Sequence, residues 1–379
     1  MNQSRDYGRW TDRRQTSNFA ARSLHIDWPL LLGLLALSAV GLITLYSSGG
    51  QDTALIWRQC IRLGIAFGLM FTIAQIPPHH IERWAPWIFG AGVMMLIGVL
   101  AVGTIGKGAQ RWLDLGFFRF QPSEIMKLAV PMMIAWYLAE NTLPPSRRAI
   151  IITALIIAVP VGLIVKQPDL GTSLLIAMSG IFALLLAGIS WRLVGGLSLL
   201  ASAFAPLVWF FGMHGYQRQR VLTFLNPESD PLGSGYHIIQ SKIAIGSGGL
   251  YGKGWLNGTQ SQLEFLPERS TDFIFAVFAE EFGFFGILVL LTIYLYIIAR
   301  GLYIAAQAQD TFTRLLAGSL TLTFFVYLVV NIGMVSGMLP VVGLPLPLVS
   351  YGGTSMVTLM AAFGILMSIQ THRKLNTSG

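Results

Sequence analysis

The chain has 379 residues, 54% of them hydrophobic and only 11% charged, against the roughly 25% charged of a soluble domain. That balance excludes an ordinary soluble enzyme, and the single cysteine, Cys60, excludes an internal disulfide. A net charge of +8 is accounted for by Lys and Arg gathered in the inner loops of a membrane protein, so nucleic acid is not expected as a partner.

Residues 1–27 form a polar tail carrying Arg5, Arg9, Arg13, Arg14 and Arg22. The block Trp28–Ser47 is longer than the apolar core of a secretory signal, and no small-x-small pattern follows it closely. It is expected to stay as the first span. Further blocks of spanning length follow at Trp57–Gln75, Trp84–Ile105, Ser123–Glu140, Ala149–Val165, Gly171–Gly188, Trp191–Phe211, Phe273–Arg300, Arg314–Ser336 and Pro347–Gln370. The fold class is therefore all-α, a polytopic bundle of about ten helices. It forms one transmembrane domain over residues 28–370, between a tail at 1–27 and another at 371–379. A long polar segment, 212–271, separates the seventh and eighth helices. Within it Tyr236, Ile239 and Ile243 share one helical face, with His237 and Ser241 on another, which predicts a helix lying on the membrane surface. With the N-terminal tail inside, the inner loops and tails carry thirteen Lys and Arg, and the short outer loops carry five. Both termini are then cytoplasmic and the long segment is outside.

Ionisable residues crowd the outer membrane edge, where each is costly and points to function or to pairing. Arg58 and Arg62 share a face at the start of the second helix. Gln121-Pro122-Ser123-Glu124 and Gln167-Pro168-Asp169-Leu170 each place Pro at a helix start with an acid just inside. Good helix-start chemistry explains both, and a site role stands beside it. Lys127 is three residues from Glu124, which also reads as an internal ion pair. Asp272 follows Ser270 and Thr271 as a plausible N-cap cluster, and it also reads as a catalytic carboxylate. Glu280 and Glu281 lie two turns deeper, where at least one needs a basic partner or a wet cavity. The run Ser247–Gly254 is not a Walker loop, since Ser247 and Gly254 stand at positions that require Gly and Ser or Thr. Turns and close backbone approach account for its glycines. Pro340, Pro345 and Pro347 ahead of Ser350-Tyr351-Gly352-Gly353 predict a broken or re-entrant helix start, buried in protein or lining a cavity.

A carboxylate base among cations suits group transfer from a lipid diphosphate: the base accepts a proton from the attacking hydroxyl, and the cations stabilise charge on the leaving group. The same residues suit a transporter for an anionic lipid. No residue set reads as a dedicated metal site or fixed cofactor. An exposed site that handles diphosphate and carboxylates can nonetheless recruit Mg²⁺ or Mn²⁺.

Several runs together resemble the SEDS family of bacterial cell-wall polymerases (shape, elongation, division and sporulation). They are Gly106–Gly116, Phe120–Glu124 with Lys127, Gln167–Thr172, Tyr236–Ser241, Phe265–Glu268, Thr271–Phe275 and Pro347–Gly353. The form Gly-Lys-Gly-Ala-Gln-Arg-Trp-Leu-Asp-Leu-Gly resembles the elongation branch more than the division branch. The resemblance covers nearly all of the chain after the tail. It implies a glycosyltransferase of the inner membrane, facing the periplasm, that polymerises lipid II. The implied partners are a class B penicillin-binding protein and other proteins of the elongation complex. It places the family's essential aspartate at Asp272. Arg62, Lys127 and Arg220 follow as contacts for the diphosphate or supports of the cavity, and Trp112 as a residue shaping it. Glu124, Asp169 and Ser350 also fall in family motifs. A lipid II flippase and a non-enzymatic scaffold for the cross-linking partner remain as alternatives.

Overall fold

The computed structural model describes residues 25–106, 109–114, 119–207, 209–210, 215–230, 233–263, 265–266 and 268–373. Lys107, the N-terminal tail to Leu24 and the last residues from Lys374 lie outside these.

Among the described residues the long helices are α1 (Trp28–Ser48), α2 (Thr53–Ala74), α3 (Pro78–Val102), α4 (Pro122–Ala139), α5 (Arg147–Lys166), α6 (Leu170–Leu186), α7 (Trp191–Leu207), α11 (Ile274–Ala306), α12 (Thr311–Val335) and α13 (Thr354–Thr371). Each answers to one of the expected blocks. Seven of them, α1, α2, α3, α5, α11, α12 and α13, are long and apolar enough to cross a membrane. α6 is apolar but has only 17 residues, and α4 carries Glu124 and Lys127 in its first turns. The shorter helices α8 (Gly215–Leu225), α9 (Ser234–Gly248) and α10 (Thr259–Gln262) belong to the long outer segment.

Helix starts follow capping chemistry. Asp27 accepts from the Leu30 N–H at 2.9 Å, Asp52 caps α2 through Ala54, and Ser146 caps α5 through Ala149. α12 is the central helix, packed against α11, α6 and α4, while α13 packs on α2 and α3 on α4. Tyr294, Tyr327, Phe312 and Phe324 are the largest fully buried side chains.

Three departures from expectation position the site. First, residues between α3 and α4 form short strands, β1 (Thr104–Gly106), β2 (Ala109–Asp114) and β3 (Arg119–Phe120), in an antiparallel meander. Second, α13 begins at Thr354, seven residues after the expected start, because residues 340–353 run as irregular backbone. Residues 344 and 346–350 are buried in protein and Val342, Gly343, Pro345 and Tyr351 line a cleft, the two settings in which non-helical chain at this depth is tolerated. A Cβ at Gly41 of α1 would fall 2.6 Å from the Leu348 carbonyl oxygen, and one at Gly171 of α6 would fall 2.9 Å from that of Val342. Glycine at those two positions lets the segment sink between the helices. Its carbonyls find donors: the Tyr294 hydroxyl donates to Pro347 O at 2.6 Å. Third, beyond the expected helix, α9 packs on α11. Its buried side is Ile238, Ser241 and Ala244, and Ile243 is exposed. Small residues on the Ser241 face allow the close approach, with Ser241 Oγ donating to Val335 O at 2.7 Å.

α11 is interrupted at Gly283, where φ is 63°. The turn 248–254 crosses it there, with Phe284 N–H donating to Gly249 O and Lys253 N–H to Glu280 O. Glu280 is fully buried and accepts from Lys253 Nζ at 2.7 Å and Thr259 Oγ1 at 3.0 Å. This is the basic partner expected for one of the two glutamates. Glu281 accepts from the Ser47 hydroxyl of α1.

Candidate active site

Asp272 lies in the turn that leads into α11. The N-cap position of α11 is Phe273, one residue after Asp272, and Phe273 makes no side-chain cap hydrogen bond. Ser270 Oγ donates to Ser48 O, and Thr271 Oγ1 donates to Glu268 at 2.8 Å. Asp272 lines a cleft of about 440 Å³ with Arg111, Asp169, Leu170, Arg220, Glu268, Thr271, Val342, Gly343, Pro345 and Tyr351. The cleft draws its walls from β2, the start of α6, α8, the turn before α11, and the irregular segment before α13. All of these lie at one end of the bundle.

Asp169 is the N-cap of α6 and not a residue inside it. Its Oδ1 accepts from the Thr172 N–H at 3.2 Å. Its Oδ2 accepts from Gln121 Nε2 at 3.2 Å and lies 3.7 Å from Arg111 Nε. The two Gln-Pro motifs, distant in sequence, thus meet at one carboxylate. Arg111 also donates through Nη2 to Pro168 O at 2.6 Å, which holds the meander against the α5–α6 junction. Trp112, the next residue on β2, pairs opposite Thr104 of β1.

Arg220 reaches the cleft from α8. Arg62, on α2, stacks on the Tyr351 ring with its guanidinium carbon 4.5 Å from the ring centroid, a cation–π contact. Arg58 pairs with Asp52 on an exposed face. Glu124 and Lys127 stand apart from the cleft wall. They form a 2.7 Å ion pair with both side chains buried, and Lys127 Nζ lies 5.3 Å from the Tyr327 ring centroid. Ser350 is also behind the wall: its hydroxyl donates to Thr271 O at 2.5 Å and accepts from Leu346 N–H at 2.8 Å.

Arg111, Glu268, Tyr351 and Asn331 are the site residues that sequence reasoning left out. Arg111, Glu268 and Tyr351 sit inside quoted motifs. Asn331 is a polar residue inside an apolar span, which is a signal by itself.

The geometry is that of three carboxylates and two arginines in one cleft at the end of a helical bundle, and comparison with known proteins places it. The family model described as "Cell cycle protein" (FTSW_RODA_SPOVE) matches residues 22–375. The chain belongs to the SEDS family. A SEDS relative from Escherichia coli (strain K12), the peptidoglycan glycosyltransferase MrdB, is 58% identical over 352 residues, spanning 93% of this chain and 95% of its own. The peptidoglycan glycosyltransferase RodA of Treponema pallidum (strain Nichols) is 32% identical over 425 residues, 92% of this chain and 98% of its own. Among solved structures, a chain from a peptidoglycan synthase complex that coordinates polymerization and crosslinking aligns with a TM-score of 0.80 at 32% identity, covering 91% of this chain and 97% of that one. The rod shape determining protein RodA of Thermus thermophilus aligns at 0.68 and 30% identity, covering 91% and 96%.

Proposed function

We propose that this SEDS protein is a peptidoglycan glycosyltransferase that polymerises lipid II, the undecaprenyl-diphosphate-linked disaccharide-pentapeptide, during cell elongation. The observation that carries the reading is Asp272 lining the same cleft as Arg111 and Arg220.

Asp272 accepts the proton of an acceptor sugar hydroxyl. That oxygen attacks the anomeric carbon of the donor, the bond from that carbon to the diphosphate oxygen breaks, and undecaprenyl diphosphate leaves. A single displacement inverts the anomeric centre. Arg220 and Arg111 are placed to take up charge growing on the leaving diphosphate. Arg62 braces Tyr351, and Trp112 follows Arg111 on the same strand, opposite Thr104. Asp169 orients Arg111 and Gln121. Lys127, Glu124 and Ser350 support the cavity from behind.

Asp169, Glu268 and Asp272 supply oxygen donors of the kind that hard cations take. Among the described residues, however, no group of three or more His, Cys, Asp or Glu is gathered closely enough to hold an ion. A Mg²⁺ or Mn²⁺ ion would therefore arrive with the diphosphate, and no step above runs through one. The partner we propose is a class B penicillin-binding protein that cross-links the product. The cleft end faces the periplasm and both termini face the cytoplasm, as the distribution of basic residues favours.

The test is polymerisation of lipid II by purified protein with its cross-linking partner. Wild type makes β-linked glycan, and Asp272→Asn makes none while staying folded and partner-bound. Normal polymerisation by the variant would remove Asp272 from the chemistry.

A further inference from the structure

Three successive carbonyls lead into α11, and each is held from across the cleft wall. Ser270 O accepts from the Tyr351 N–H at 2.8 Å. Thr271 O accepts from Ser350 Oγ at 2.5 Å. Asp272 O accepts from Asn331 Nδ2 at 2.9 Å. Helical N–H groups do not serve that last carbonyl, because Ala276 N–H donates to Phe273 O instead.

Asn331 is fully buried in α12, where an amide side chain is costly unless its bonds are made. Its Nδ2 donates a second time, to Leu344 O at 2.7 Å. Both partners are carbonyl oxygens, which only accept, so the amide must turn its NH₂ group toward them. One side chain thus ties the backbone of Asp272 to the irregular segment that forms the facing wall. Ser350 makes a parallel tie, since it joins Thr271 O to Leu346 N–H. The walls stand in contact range: a Cβ at Gly343 would make an ordinary van der Waals contact, 3.5 Å, with Asp272 Oδ2.

We propose that Asn331 is a positioning residue for Asp272, fixing the carboxylate against the wall formed by Val342, Gly343, Pro345 and Tyr351, with Ser350 as its second anchor. This rests on the reading of Asp272 as the base. A base works only within hydrogen-bond reach of its proton, and a misplacement near 1 Å costs on the order of a hundredfold in rate. Loss of the tie then acts on turnover and not on substrate affinity.

The experiment compares Asn331→Leu, nearly the same size but without donors, with Ser350→Ala, Asp272→Asn and wild type in lipid II polymerisation. Thermal midpoints are read in the same detergent. We expect Asn331→Leu and Ser350→Ala each to lose kcat by about tenfold or more, with KM for lipid II within about twofold of wild type, when assayed well below the thermal midpoint of each variant, which the unpaired buried groups lower. Wild-type kcat in both variants, with Asp272→Asn inactive, overturns the positioning role alone. A loss that appears as a raised KM, or that disappears when the assay is run well below the variant's midpoint, also overturns it. Activity in Asp272→Asn overturns both the positioning role and the reading beneath it. If Asn331→Leu does not fold, Ser350→Ala decides by the same criteria.

Discussion

Glu124 and Lys127 show how much depends on a single pair inside a membrane bundle. On an exposed helix face such an i,i+3 pair contributes a few tenths of a kcal/mol. Here both residues are 6% exposed, so removing one partner leaves a buried charge, at a cost of about 3–5 kcal/mol. Lys127→Met is therefore expected to lower unfolding stability by about 3 kcal/mol, read as denaturant or thermal unfolding in detergent. The double variant Glu124→Gln with Lys127→Met should recover most of that, because no uncompensated charge remains. Since the pair stands behind the cleft wall, polymerisation should recover with stability in the double variant. Recovered stability without recovered activity would instead place Lys127 on the diphosphate. The sequence showed this pair by spacing alone, and it showed Asp272 as either cap or catalyst. The backbone puts the N-cap of α11 at Phe273, one residue after Asp272, and the Asp272→Asn assay decides between the two.

Helices were the most legible elements, because blocks of apolar residues of spanning length leave little else for the chain to do. The outer connections were less so. The strands at 104–106, 109–114 and 119–120 have no alternating pattern to announce them; Gly106, Arg111 and Arg119 each fall within one. The helix α9 was legible, but its packing on α11 was not, because the buried side mixes Ile238 with the small Ser241 and Ala244. The glycines of the 248–254 turn were legible as close-approach positions, and they carry a prediction of opposite signs. A Cβ at Gly252, where φ is 80°, would fall 2.1 Å from the Glu281 carbonyl oxygen. Gly252→Ala should lower the thermal midpoint, at a cost of about 2 kcal/mol, as the crossing over the Gly283 kink is forced apart. Gly246, inside α9, has nothing within 4 Å of such a Cβ. Gly246→Ala should hold or raise the midpoint by the helix-propensity gain of about 0.5–1 kcal/mol. Equal effects from the two substitutions would show that the turn does not bear on α11 as described.

The two ends of the whole bundle differ in kind. One end carries the cleft, built from segments that no single helix could bring together. The other is closed by ties between chain ends and loops. Arg300 Nη2 donates to Asp27 Oδ2 at 2.6 Å, Arg373 to Gln307 Oε1, and the His25 and His372 rings stack at 3.9 Å. Catalysis on a lipid-borne sugar outside the cell requires the cleft end to face the periplasm, which the basic residues favour but which packing alone does not dictate. With Cys60 as the single cysteine, Cys60→Ser gives a cysteine-free chain in which one new thiol reports its side. Asn257, in the turn over α11, and Gln309, between α11 and α12, are both exposed, on opposite ends of the bundle. In intact cells with a permeable outer membrane, Asn257→Cys should react with a membrane-impermeant maleimide. Gln309→Cys should react only after the inner membrane is opened. The reverse order would turn the cleft toward the cytoplasm, where a polymerase of exported lipid II could not act, and would return the transporter reading to first place.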